Sequence, residues 1–124
     1  MYSQNNRQAL AQSIVPASRT AIVTGTGVDL SGFDAATVYV FQGATTDGTF
    51  TPSLQDSNDD VTYGSATING SFTAMTSATT GTVQEVAYAG SKRYVRVVVT
   101  ASGTTTGGIF GAVVVKGAPK ALPA

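Results

Sequence analysis

Asp56, Asn58 and Asp60 stand at alternate positions and match the first half of a calcium-binding loop. Closely spaced carboxylate and amide oxygens of this kind converge on a hard cation. The second half of the loop is missing, because Val61 stands where the loop requires glycine and Thr67 where it requires a bidentate carboxylate. We therefore expect an acidic turn whose side chains cap their own backbone amides, with calcium binding as the alternative.

Side chains that carry out acid–base and nucleophilic catalysis are scarce in this chain. It has no histidine, cysteine or tryptophan, and Glu85 is its only glutamate. Serine and threonine are abundant, but a hydroxyl nucleophile needs a base beside it, and the sequence singles out none. The glycine-rich stretch GTGVDLSG lacks both the lysine of a P-loop and the spacing of a dinucleotide turn. We expect a protein that is not an enzyme, with no catalytic residue, no cofactor and, apart from the calcium alternative, no metal.

A basic and aromatic cluster, Lys92, Arg93, Tyr94 and Arg96, opens a strongly β-branched segment. Guanidinium groups bind carboxylates through two parallel hydrogen bonds, so one interpretation is a contact with a carboxylate-bearing partner surface. The alternative is a solvated face on which both arginines are paired within the chain. Arg96 shares its strand face with Tyr94 and Val98, which predicts a position at the edge of a buried region.

Residues 92–117 predict two strands around a glycine-rich turn, and we expect them to form a β-hairpin. Both strands carry apolar residues on both faces, which is typical of strands inside a packed β structure or against a partner. In the first strand, Val95, Val97 and Val99 are expected in the interior, while the opposite face contacts another subunit. In the second strand, one face holds Ile109, Val113 and Val115, and the other holds Phe110, Ala112 and Val114.

The composition fits one neutral domain of 124 residues. Charged residues make up 11%, and seven basic residues balance seven acidic ones. A neutral surface favours association, and it argues against nucleic-acid binding, which requires a clustered basic excess. No segment reaches the roughly 18 apolar residues of a membrane span, and the N-terminus is too polar for a signal peptide. We expect synthesis without export and no membrane contact.

Short strands separated by turn residues, at a spacing of about 8–12 residues, predict an all-β domain. The expected architecture is a small single-domain β sandwich or barrel, similar to a jelly roll, over residues 19–117. Residues 1–18 are expected to form an extended N-terminal arm, and residues 118–124 a C-terminal tail.

Four segments between residues 19 and 117 resemble capsid decoration (cement) proteins of tailed bacteriophages and prophages. The most specific parts of the likeness are L-Q-x-S-x-D followed by an aromatic residue, at residues 54–63, and GSKRYVR, at residues 90–96. The segments are GVDLSGFDAATVYVFQGATTDGTFTPSLQDSNDD, GSFTAMTSA, QEVAYAGSKRYVRVVVT and GGIFGAVVVKG.

This resemblance implies a structural protein with no catalytic motif. It would bind the major capsid protein on the outside of the assembled phage head, at junctions between capsomers, as a homo-oligomer such as a dimer or trimer. Its location would be the outer capsid surface of the virion, after synthesis in the host bacterial cytoplasm. On this interpretation the chain ends and one strand face contact neighbours. The predicted partner-binding residues are Tyr2, Arg7, Leu10, Ile14, Tyr94, Arg96, Val98, Lys120 and Leu122.

Two other functions stay open. A tail-tube, tail-terminator or head-to-tail connector protein would also be β-rich and neutral, but it would form rings on its own. A carbohydrate-binding or adhesin domain would use exposed aromatic residues, and the absence of tryptophan weakens that interpretation.

Overall fold

Ten β-strands and a short 3-10 helix form the part of the protein that the computed structural model describes, residues 9–30 and 33–119. The strands are β1 (Ala9–Arg19), β2 (Val23–Thr24), β3 (Val28–Asp29), β4 (Phe33–Thr45), β5 (Thr49–Ser57), β6 (Gly64–Ser65), β7 (Ile68–Asn69), β8 (Val83–Tyr88), β9 (Tyr94–Ser102) and β10 (Gly108–Pro119), and the helix spans Ser77–Thr79. The prediction of an all-β domain is confirmed. No helix within the described ranges has the length and apolar character that a membrane crossing requires.

The strands form two antiparallel sheets. Sheet A has the order β1-β10-β4-β8-β7, and sheet B has the order β2-β9-β5-β6, with β3 also paired to β9. In sheet A the first strand pairs with the last, so that Ala9 lies opposite Lys116 and Arg19 lies opposite Gly108. The start of β1 and the end of β10 therefore lie at the same end of sheet A.

The hydrophobic core lies between the two sheets, because alternate side chains of each strand point inward. Phe50 of β5 and Phe110 of β10 are both buried, and their ring centroids lie 5.1 Å apart at an interplanar angle of 50°. This tilted aromatic pair joins sheet B to sheet A. Val95, Val97 and Val99 are fully buried, which confirms their predicted interior position.

The predicted hairpin over residues 92–117 is wrong. β9 belongs to sheet B and β10 to sheet A, so the connection between them crosses from one sheet to the other. The Asp47 carboxylate, in the turn between β4 and β5, holds this crossing by accepting hydrogen bonds from the backbone amides of Gly107, Thr105 and Thr106. These amides hold the pKa of Asp47 below its ordinary value.

The predicted boundary of the N-terminal arm at residue 18 is also wrong. β1 pairs with β10 along its length, so residues 9–18 belong to the domain. Buried Ser13 explains why a polar sequence forms this strand: its Oγ accepts a hydrogen bond from the Val97 amide at 2.9 Å and donates one to the Thr26 carbonyl at 3.0 Å. The strand thus links the two sheets. Its register with β10 is irregular on both sides of Ile14, which obscures the alternation of apolar and polar residues in the sequence of β1. At the other end, β10 continues to Pro119, into the predicted tail.

Candidate interaction surface

The acidic turn after β5 satisfies its own backbone, as the sequence predicts. The Asp59 carboxylate accepts hydrogen bonds from the Thr62 amide at 2.9 Å and from the Val61 amide at 3.0 Å, and these bonds lower the pKa of Asp59 to about 2. The Ser57 hydroxyl accepts from the Asp59 and Asp60 amides. Asp60 has a left-handed backbone with φ of 61°, and its carboxylate accepts a hydrogen bond from the Tyr63 hydroxyl.

The oxygens of the predicted calcium half-loop do not converge. Asp56 is buried and points into the sandwich, where it accepts a hydrogen bond from the Tyr88 hydroxyl of sheet A at 2.7 Å. Lys92 Nζ lies 3.7 Å from the same carboxylate. Asn58 and Asp60 are on the exposed turn outside. Among the described residues, no group of three or more His, Cys, Asp or Glu side chains is placed to hold a metal ion.

This inward Asp56 is instead a link between the sheets at the end of the sandwich. Tyr88 donates to Asp56 and also accepts a hydrogen bond from the Lys92 amide at 3.0 Å. Burial, together with the hydrogen bond to Asp56, raises the pKa of Tyr88 to about 12. The hydroxyl therefore stays protonated, and remains a donor, over the physiological pH range.

Both arginines of the basic cluster are paired within the chain. Arg93 Nε and Nη2 donate to the two carboxylate oxygens of Asp29 at 3.0 and 2.9 Å, and this bidentate bond raises the pKa of Arg93. Arg96 Nε donates to Gln55 Oε1 at 2.9 Å, and its guanidinium lies 3.9 Å from the centre of the Tyr63 ring. The alternative of paired arginines thus describes the geometry better than a vacant carboxylate-binding fork.

The outward face of sheet B that holds Arg96 is mainly polar. Cross-strand pairs place Gln55 beside Arg96, Ser53 beside Val98 and Thr51 beside Thr100. Val98 is buried, with 7% of its surface exposed. This face has internal partners for its charged groups and offers little apolar surface.

The predicted partner-binding residues have mixed outcomes. The prediction that Ile14 contacts a partner is wrong, because its side chain is 2% exposed and lies in the core. Val98 is buried as well, so it offers almost no surface to a partner. Tyr94 and Arg96 are half-buried on sheet B, and their role in binding stays a prediction. Tyr2, Arg7, Lys120, Leu122 and the side chain of Leu10 lie outside the described residues.

The outward face of sheet A is apolar over three neighbouring strands, and the sequence analysis did not single it out. We call it the sheet A outer face. Val83 is 65% exposed and Ile109 is 41% exposed, whereas the aromatic residues between them are half-buried. The face consists of Thr37, Tyr39 and Phe41 of β4, Val83, Glu85 and Ala87 of β8, and Ile109, Gly111, Val113 and Val115 of β10.

A glycine in β10 allows large side chains to pack across this face. Gly111 lies opposite Phe41 in the ladder. A Cβ atom at position 111 would lie 2.8 Å from the Phe41 ring and 2.9 Å from Pro16 Cγ, so any larger residue would push them apart. Phe41 and Pro16 therefore meet over the glycine and make the surface continuous from β1 to β8.

The size of the sheet A outer face is typical of an interaction patch. Three strands about 4.8 Å apart and seven residues at about 3.4 Å each span an area of roughly 340 Å². The largest apolar patch of a typical monomer is roughly 300–600 Å² and is often functional. The sequence did contain a signal for it, namely apolar residues on both faces of β4 and β10, which is also the pattern of an ordinary buried strand.

Comparison with known proteins gives a likeness in fold. No protein-family model matches this chain, and no curated protein matches it in sequence. The fold is similar to a solved structure described as "Crystal structure of PBSX exported protein XepA", with a TM-score of 0.58 and 17% sequence identity. The likeness covers 94% of this chain and 39% of that chain, so this chain spans well under half the length of that protein. At this identity, the similarity shows the fold alone.

Proposed function

We propose that this chain is a structural, non-catalytic protein of a bacteriophage particle that decorates the outside of the assembled capsid. The observation that carries the proposal is the sheet A outer face, a continuous apolar surface on a domain of zero net charge. Such a surface is suited to binding protein. The motif resemblance to decoration proteins and the fold likeness to a phage (PBSX) protein support the phage setting.

The patch accounts for only part of a stable interface. A specific interface buries about 800 Å² on each partner, which is more than twice the area of this face. Residues 1–8 precede β1 and residues 120–124 follow β10, so both segments are joined to the same end of sheet A. We propose that they extend the contact onto neighbouring coat subunits, in line with the prediction that the chain ends contact neighbours.

Stabilisation of the shell follows from mass action. A protein that binds the assembled shell and not the dispersed subunits shifts the equilibrium toward the shell. Simultaneous contacts with two or more coat subunits raise the overall affinity without requiring any single contact to be strong.

Binding to capsids that lack this chain tests the proposal. Purified protein is mixed with expanded and with unexpanded capsids, and the copies bound per shell are measured. Saturable binding to the expanded form, with a rise in the temperature at which the shells rupture, is expected. Absence of binding to either form would overturn the proposal, and rings seen on sizing the pure protein would favour a tail or connector protein.

Deleting residues 1–8 tests the contribution of the N-terminal segment separately. This deletion leaves β1 intact, whereas deletion of residues 1–18 would remove a strand of sheet A. We expect weaker capsid binding with an unchanged unfolding transition. Undiminished binding by the shortened chain would show that residues 1–8 do not contribute.

A further inference from the structure

A single carboxylate, Glu85, lies within the apolar sheet A outer face. In the cross-strand ladder it stands beside Tyr39, which is itself beside Val113. Its neighbours on the same face of β8 are Val83 and Ala87. Glu85 is exposed, and its negative charge raises the pKa of the neighbouring Tyr39 hydroxyl.

Glu85 differs from the other carboxylates whose surroundings the structure describes. Asp29 pairs with Arg93, and Asp56 lies beside Lys92. Asp47 and Asp59 each accept several backbone amides. Asp60 accepts from Tyr63, whose ring lies against the Arg96 guanidinium.

No cation within the described residues is placed near Glu85. The sheet A outer face contains no lysine or arginine, and no ion pair forms there among the described side chains. Lys92, Arg93 and Arg96 lie at the end of sheet B, while Lys116 Nζ donates to the Asp29 carbonyl and Arg19 Nη2 donates to the Val15 carbonyl.

Covering this face therefore creates an electrostatic requirement. A partner that buries the surrounding apolar residues removes water from Glu85, and a desolvated carboxylate is stable only when it is paired. A second copy packed face to face around a two-fold axis would supply the same face. That face would bring a second Glu85, and none of the residues that define it is basic.

We propose that the partner covering the sheet A outer face is a different protein that supplies one lysine or arginine to Glu85 within an otherwise apolar contact. Charge pairs from which the neighbouring residues exclude water contribute to affinity and fix the register of the two surfaces. This inference rests on the proposed function, since it describes the coat surface that would receive this face.

The test compares two isosteric variants, Glu85→Gln and Asp60→Asn. Both replace an exposed carboxylate that lies beside a tyrosine, but Asp60 is on the acidic turn after β5, next to sheet B and away from the proposed contact. Binding to expanded capsids is measured at several salt concentrations, with unfolding curves to verify that the variants fold. We expect E85Q to bind at least 10-fold more weakly with a smaller salt dependence, and D60N to bind within 2-fold of the unaltered protein.

Each result has a distinct meaning. If the unaltered protein binds and E85Q binds equally well with the same salt dependence, the inference about Glu85 is overturned while the proposed function stands. If both variants weaken equally, the effect is one of total charge and the inference is also overturned. If the unaltered protein does not bind capsids, the proposed function itself fails.

Discussion

The outward faces of the two sheets have opposite chemistry. On sheet B, the charged groups find partners within the chain: Arg93 binds Asp29, and Arg96 binds Gln55 and stacks on Tyr63. On sheet A, apolar side chains stay exposed beside the Glu85 carboxylate, which forms no ion pair with the described residues. A face whose polar groups are paired within the chain is stable in water, whereas covering an apolar face lowers the free energy of the system. The proposed binding surface therefore lies on sheet A, whereas the charged groups of sheet B are satisfied within the chain.

The interior that both sheets share gives the largest expected effect. Phe50→Ala removes a buried ring from the aromatic pair between the sheets and should lower the free energy of unfolding by about 3–5 kcal/mol. Phe41→Ala, on the sheet A outer face, should lower it by only about 1 kcal/mol, because that ring is half-buried. Denaturant unfolding curves measure both. Equal losses would mean that Phe41 serves the fold and not a partner.

A charge placed on the sheet A outer face tests the binding side of the comparison. Val83→Lys puts an ammonium group into the proposed apolar contact, and should weaken capsid binding by more than about 2 kcal/mol, a factor of about 30. Val61→Lys is the matched control, since Val61 is 80% exposed on the acidic turn beside sheet B. A larger loss for V61K than for V83K, measured by titration on expanded capsids, would reverse the assignment of the two faces.

The Ser13 hydroxyl, which links β1 to sheet B, is expected to have an intermediate effect on stability. Ser13→Ala leaves the buried Val97 amide without its hydrogen-bond acceptor, and should lower the free energy of unfolding by about 1–3 kcal/mol. Ser53→Ala removes an exposed hydroxyl that donates to the Val98 carbonyl at 3.2 Å, and should change stability by less than about 0.5 kcal/mol. Chemical denaturation of both variants checks the difference, and a neutral S13A would show that β1 is held by its pairing with β10 alone.

The smallest expected effect is on the acid stability that Asp59 contributes, in the turn after β5. The folded-state pKa of Asp59 is about 2, below its ordinary value of 3.8. Its contribution to stability is therefore present above pH 3.8 and is lost as the pH falls toward 2. Asp59→Asn keeps an acceptor oxygen but does not titrate, so its melting temperature should fall less steeply between pH 5 and 2. A curve parallel to that of the unaltered protein would contradict this.

The sequence predicts much of the fold because alternation is a local property. The interior valines of β9 and the capping of the acidic turn are both confirmed, since each depends on residues that are close in the chain. The hairpin failed because two-sided apolar strands look alike whether they pair with each other or belong to different sheets. That choice involves contacts between residues distant in sequence, such as the pairing of β9 with β5 and the hydrogen bond from the Gly107 amide to Asp47.

The sequence could not locate the sheet A outer face for a related reason. Phe41 and Val113 are of residue types that are usually buried, and only the sheet order shows that their side chains lie on the uncovered side of sheet A. The strand β1 was obscured in the opposite way, because its key inward residue, Ser13, is polar and its partners lie on β9 and in the loop before β3.

The pairing of β1 with β10 has a consequence for biosynthesis. The ribosome releases β1 first and β10 last, yet β10 lies between β1 and β4 in sheet A. Until β10 emerges, β1 and β4 lack the strand that lies between them in sheet A. The apolar residues of β4 are then without their β10 neighbours. A premature stop before residue 108 would leave a gap through the middle of the sheet, so the whole domain is expected to fold only after its translation is complete.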